Sequence, residues 1–275
     1  TVADIPREHV DQSIAWQLLA ASQELGGDVV GAFESARTAL TKNDATFFTR
    51  EALLRYALQQ VSEDGLTLAY RIVPVDKRVL LEEAIAAFAD RSKWLWSVQS
   101  PTTQAAVLTH LGYAYLLTHR ADQALGLIEE AQGRSAPRDS SLFRVEIEAL
   151  LDLDRASEVL TKFESSLPEL PNEALVSYAQ AAFVADDLPR ADAADAEALR
   201  RSEGPDAARL QSTMRLIRWN LLLVQGRVTD LRAELVVAGV TPESSSIPEL
   251  VFSAWSNLQP DGDKAIADLL IDRIA

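Results

Sequence analysis

Apolar residues recur along this chain with a helical period. Between Gln104 and Pro137, Leu108, Leu111, Gly112 and Tyr115 share one helical face. A polar break at Thr118–Asp122 follows, the periodicity resumes with Ala124, Ile128 and Ala131, and Pro137 closes the stretch. The pattern predicts two helices that turn back on each other. Small residues at Gly112 and Ala124 let the backbones approach, and the larger ones fill the seam. No stretch alternates apolar and polar residues convincingly. The nearest to a strand is Leu66–Val75, where Pro74 and polar flanks suit a short helix and turn as well.

The same pattern returns along the chain. Trp16, Leu19 and Ala20 precede a turn at Gly26-Gly27-Asp28, and Ala32, Ala36 and Ala39 follow it. Leu53, Tyr56 and Ala57 lead to a turn at Asp64-Gly65 and then Ala69. Residues 76–100 are irregular, with a clear helix near Arg78–Ala89 and a short partner around Ser92–Val98. Beyond the 104–137 unit lie Ser140–Pro171, Asn172–Ser202, Asp206–Leu235 and Pro248–Ile274, with turns at Asp152–Arg155, Asp186–Arg190, Gln225–Arg227 and Asp261–Asp263. The small or apolar marker early in the second helix falls at Ala124, Val159, Ala191, Leu231 and Ala265, in steps of 35, 32, 40 and 34 residues.

This order and spacing resemble the tetratricopeptide repeat, a helix–turn–helix unit of about 34 residues that must stack on neighbours to bury its apolar face. The resemblance covers most of the chain. It implies an all-α fold, a right-handed superhelical solenoid of antiparallel helix pairs. Residues 1–275 would then form a single array of about seven to eight pairs, irregular at 76–100 and 236–247. Arg215 and Arg218 depart from it, standing where the repeat prefers apolar residues, and Val236–Ser246 lengthens one connection.

In such arrays the first helix of each pair lines the concave face. The resemblance therefore implies a groove lined by Gln17, by Thr109 and Tyr113, by Arg144 and Glu148, by Gln180 and Phe183, and by Asn220. This polar lane with aromatic spots suits an extended peptide. A basic clamp for a chain terminus is disfavoured, because only Arg144 stands at a matching position. Trp94 and Trp96 are two residues apart, which a helix would turn about 200° from each other. One of them is thus exposed, or the local structure is irregular, and Lys93–Gln99 is a candidate second contact.

Charge narrows the partner class. The net charge is −15, with −9 carried by residues 101–204. A field of this sign repels phosphate backbones and anionic lipid, so nucleic acid is excluded and a basic protein or segment is the better match. No run approaches the 18 or so apolar residues of a membrane span, and no secretory leader is visible. The oligomeric state is not encoded in any pattern here. The chain starts at Thr1 and contains only Met214, as expected of a piece of a longer protein. Arginine outnumbers lysine 21 to 5, which reads as a bacterial coding bias.

Catalytic chemistry is not in view. The histidines are His9, His110 and His119, without the spacing of a zinc site or a general base beside a nucleophile. Cysteine is absent, so thiol catalysis and disulfides are excluded. Glu82-Glu83, Glu129-Glu130 and Asp186-Asp187 read as solvated faces. Gly26-Gly27 is not a phosphate loop, and Asp261–Asp263 lacks the other ligands of a calcium loop. No cofactor, metal or reaction is expected. Divergent Ala- and Leu-rich repeats without cysteine also resemble the periplasmic repeat regions of bacterial exopolysaccharide export proteins. That likeness implies a non-catalytic docking role in secretion. The alternative is a cytoplasmic regulatory module binding a peptide or small ligand.

Overall fold

The computed structural model describes residues 12–42, 47–62, 73–89, 96–134, 140–202, 204–241, 247–259 and 261–274. Among them the protein is all-α, with fourteen helices, two short 3₁₀ segments and no β-strand. The chain divides into two compact units, Thr1–Arg155 and Ala156–Ala275. The first contains α1 (Gln12–Leu25), α2 (Val29–Lys42), α3 (Phe47–Ser62), α4 (Val75–Ala86), a 3₁₀ turn at Trp96–Val98, α5 (Pro101–Leu117), α6 (Ala121–Gln132) and α7 (Ser140–Asp152). The second contains α8 (Ala156–Phe163), a 3₁₀ arch at Glu164–Glu169, α9 (Asn172–Val184), α10 (Leu188–Arg201), α11 (Gly204–Val224), α12 (Val228–Val237), α13 (Ile247–Asn257) and α14 (Lys264–Ile274). The helices pack in sequential pairs: α1 on α2 and α5 on α6 in one unit, and α9 on α10, α11 on α12 and α13 on α14 in the other.

One turn recurs. Helices α1, α5, α7, α9 and α11 each end with a residue in the left-handed region: Gly27, His119, Asp154, Asp186 and Gly226. The next amide then bonds back five residues, from Asp28 to Gln23, Arg120 to Tyr115, Arg155 to Leu150, Asp187 to Ala182 and Arg227 to Leu222, at 2.8–2.9 Å. This is the Schellman arrangement, which satisfies carbonyls that a helix end leaves open. The following helix starts two residues past the left-handed one, and its fourth residue is buried each time: Ala32, Ala124, Val159, Ala191 and Leu231. Asp28 and Asp187 also cap that helix, accepting from the amides of Gly31 and Arg190.

The last pair corrects one expectation. Ala265 is exposed, and the buried fourth residue of α14 is Ala267, a step of 36 from Leu231. The connection after α13 is longer than the recurrent turn. Asp263 caps α14 by accepting from the amides of Ala265 and Ile266, which sets the helix start.

Packing follows the small-residue logic. In the first unit Phe33, Leu53, Leu54, Tyr56, Leu81 and Leu117 belong to one continuous core. A Cβ at Gly112 would stand 3.1 Å from Ile128 Cδ1 and 3.3 Å from Val145 Cγ1, so the missing side chain is what lets α6 and α7 approach α5. Glu24 on α1 accepts from Arg55 and from the Tyr56 hydroxyl on α3. In the second unit Trp219 is 1% exposed and meets Phe252 edge-on at 5.9 Å.

The irregular stretch contains the helix α4 and a 3₁₀ turn at Trp96–Val98; residues 90–95, with most of the short helix expected around Ser92–Val98, lie outside the described residues. The expected turn at Asp64-Gly65 with Ala69, most of Leu66–Val75, and Trp94 lie outside the described residues, as do 242–246 in the lengthened connection.

Candidate partner-docking site

Helix α5 is packed by α3, α4, α6 and α7, so little of its circumference stays open. Of its half-exposed positions, Thr103, Ala106, His110 and Tyr113 form one stripe at spacings of three, four and three, while Tyr115 lies off it beneath Arg120. Tyr113, expected in the groove, lies on it. Arg144 of α7 reaches it, with its guanidinium carbon 5.4 Å from the Tyr113 ring centre. Arg144 Nε donates to Glu148 at 2.6 Å. Helices α5 and α7 thus meet through an aromatic–arginine contact that is partly open to solvent.

Thr109 and Glu148 require correction. Thr109 is 1% exposed, and its hydroxyl donates to the Ala105 carbonyl one turn back, at 2.9 Å. Its neighbour His110 holds the stripe position instead. Glu148 is buried too and meets Arg144, so it positions that guanidinium and offers no surface of its own. Gln17 on α1 is half-buried and donates to Ser13.

In the second unit Gln180 and Asn220 are half-buried. Gln180 lines a narrow crevice with Asp195, Met214 and Arg218, between α9, α10 and α11. Phe183 lines it too but is 3% exposed, covered by Arg218 and Arg227, and so also departs from the groove expectation. Burial pushes the Asp195 carboxyl up to about 6; Arg218 pulls it down, while Asp192 and Glu234 raise it further. The periodicity gave no sign of Asp195, whose position faces the seam with α11 only once the helices are stacked.

Trp96 is half-buried, 6.1 Å from the Phe47 ring and beneath Arg134 at 5.8 Å. Its carbonyl accepts from Gln104. It packs against the first unit's core, as Tyr113 does, and keeps part of its surface open. Among the described residues no group of three or more His, Asp or Glu is placed to hold a metal, and no helix is long and apolar enough to cross a membrane.

These paired helices and their recurrent turns define a tetratricopeptide-repeat fold. The protein shares it with the crystal structure of a tetratricopeptide repeat protein from Parabacteroides merdae, at a TM-score of 0.56 and 12% sequence identity, covering 96% of this chain and 99% of that one. No protein-family model matches the sequence, and neither does any curated protein.

Proposed function

We propose that the protein is a docking scaffold that holds an extended segment of a partner protein along the open stripes of its inward helices. The observation that carries this reading is the Tyr113–Arg144 contact. A partly open aromatic ring under a guanidinium offers the apolar anchor and the hydrogen-bonding edge that peptide recognition uses. The net charge of −15 favours a basic segment, whose affinity then falls as salt rises. Gln180 and Asn220 offer amides of the same kind in the second unit. A small-ligand regulatory module is the second reading, favoured by a hollow beside α10. No feature of the fold favours a periplasmic polysaccharide-export complex over another assembly.

A photo-crosslinking residue placed at Tyr113 tests the docking reading. It is expected to capture a partner, and the capture is lost with Arg144→Ala. Equal capture of the same protein by a probe at Glu129, exposed on α6, would move binding off the proposed stripe.

A further inference from the structure

In the hairpins built on the recurrent turn, the eighth residue of the second helix lies in the seam. In α2, α6, α8 and α12 it is apolar and buried: Ala36, Ile128, Phe163 and Leu235. In α10 it is Asp195, half-buried in the wall of the narrow crevice between α9, α10 and α11. Gln180 of α9 lines the same crevice, and Val176, Met214, Ile217 and Leu221 supply its apolar wall. The free volume is about 20 Å³, room for one water-sized group.

Two features define what this crevice accepts. Among the described residues, neither the Asp195 carboxylate nor the Gln180 amide has a hydrogen bond or an ion pair. Both side chains are only half-buried, and their polar atoms keep surface that a ligand can reach. A carboxylate held partly out of water without a partner is unfavourable, and the apolar residue of the other hairpins would pack better there. The local charge is also unbalanced. The charged groups acting on Asp195 are Asp192 of its own helix, Arg218 of α11 and Glu234 of α12, while α9 brings the uncharged Gln180 and Phe183. Arg218 is already held by Asp192 at 2.7 Å and by Glu234 at 2.6 Å, so one cation is set against three carboxylates.

We propose that this crevice receives the ammonium of a lysine side chain from a partner's segment, with the Asp195 carboxylate and the Gln180 carbonyl as its acceptors. Charge sets the sign of the guest, and size sets the group. An ammonium is a compact point charge about as large as a water molecule, whereas a planar guanidinium is broader than the space available. The ammonium carries only donors, which both acceptors can take up. Met214, Ile217 and Leu221 offer the apolar surface that the methylene stem covers. The inference deepens the docking reading and rests on it for the source of the lysine, but it uses neither Tyr113 nor Arg144.

The test is an NMR titration of the full chain, at constant ionic strength and about pH 7.5, with N-acetyl-lysine methylamide and with its arginine and norleucine counterparts. The lysine compound is expected to shift the Gln180 side-chain amide and the Met214 methyl saturably. It should bind at least about 10-fold more tightly than the norleucine compound, the worth of one charge-assisted hydrogen bond, and more tightly than the arginine compound. Asp195→Asn removes this preference for lysine; the variant is expected to be more stable than the parent at this pH, so the loss is not one of fold. Acidification to about pH 5 protonates a carboxyl whose folded value is about 6 and weakens lysine about 10-fold while leaving norleucine unchanged. The proposal is overturned if the lysine compound gives no saturable shift by about 50 mM, far above any useful affinity. Arginine bound as tightly as lysine, or lysine binding that survives Asp195→Asn, overturns it equally. The two readings fail separately: lysine binding here without capture at Tyr113 supports the crevice and removes the stripe, and capture without lysine binding does the reverse.

Discussion

Arg218 lies over the ring of Phe183, its guanidinium carbon 5.4 Å from the ring centre, while its Nε donates to Glu234 at 2.6 Å and Nη1 to Asp192 at 2.7 Å. One planar side chain on α11 therefore ties α9, α10 and α12 together. A planar, forked cation can stack and donate in two directions, which a lysine ammonium does less well. The same use recurs: Arg120 lies over Tyr115 and donates to Glu82 of α4, and Arg232 joins Asp261 to the Ser256 carbonyl. The excess of arginine, read from the sequence as a coding bias, has a physical role between the helices.

Replacing Arg218 with the apolar residue that the repeat prefers should therefore destabilise. Arg218→Leu is expected to cost about 1–2 kcal/mol, since the pairs are partly exposed and only the stacking is well covered. Arg218→Lys should lose roughly half of that, keeping the charge without the fork. Urea unfolding at neutral pH measures both. A Leu variant as stable as the parent would mean that these ties contribute nothing net.

Asp195 makes stability depend on pH. Its folded value of about 6 lies above its ordinary 3.8, raised by burial. The folded state thus holds this proton more tightly than the unfolded chain does. The contribution is fully present below about pH 4 and is lost as pH rises through about 6. Asp195→Asn should stabilise the protein at about pH 7.5 by up to about 3 kcal/mol, two pKa units at 1.36 kcal/mol each. Near pH 4 the two proteins should converge. Parallel denaturation curves with a constant gap between the variants at both pH values would rule this titration out.

Much of this fold was legible because the hairpin code is local. Gly112, Ala124 and the polar break between them located α5 and α6. Surface exposure was legible only where one helix's phase sufficed, as at Tyr113. Thr109, which the resemblance placed beside Tyr113, stands four residues before it, but the open stripe steps back three, to His110. A four-residue step overshoots a full turn by about 40° and a three-residue step falls about 60° short; only the neighbours packed around α5 decide which faces out. Phe183 was misplaced for another reason. Its cover comes from long side chains far along the sequence, Arg218 and Arg227, whose stems bury apolar surface while their heads stay wet. The hollow beside α10 was equally hidden, since it depends on an arch that no repeat pattern anticipates.

Gly112 should tolerate little. Alanine would gain about 1 kcal/mol of helix propensity, and its Cβ contacts of 3.1 and 3.3 Å offset part of it, leaving a near-neutral change. Gly112→Leu has nowhere to go between Ile128 and Val145 and is expected to cost about 3 kcal/mol or more. Chemical denaturation of the pair checks the seam. A benign leucine would show that α6 and α7 can move away from α5 freely.

His119 marks the turn after α5 and is exposed, with φ at 60°. A side chain there costs about 1–2 kcal/mol relative to glycine in the folded state. Glycine gives part of that back through the larger entropy of its unfolded chain. The net expectation for His119→Gly is a gain of about 0.5–1 kcal/mol. His119→Val should lose about 1–2 kcal/mol, because a β-branched residue fits the left-handed region poorly. Both variants leave the helices and the charge of neighbouring groups untouched, so melting of the first unit reports the backbone alone. If glycine and valine melted together, the left-handed turn that sets the start of α6, and with it the burial of Ala124, would not be the conformation in solution.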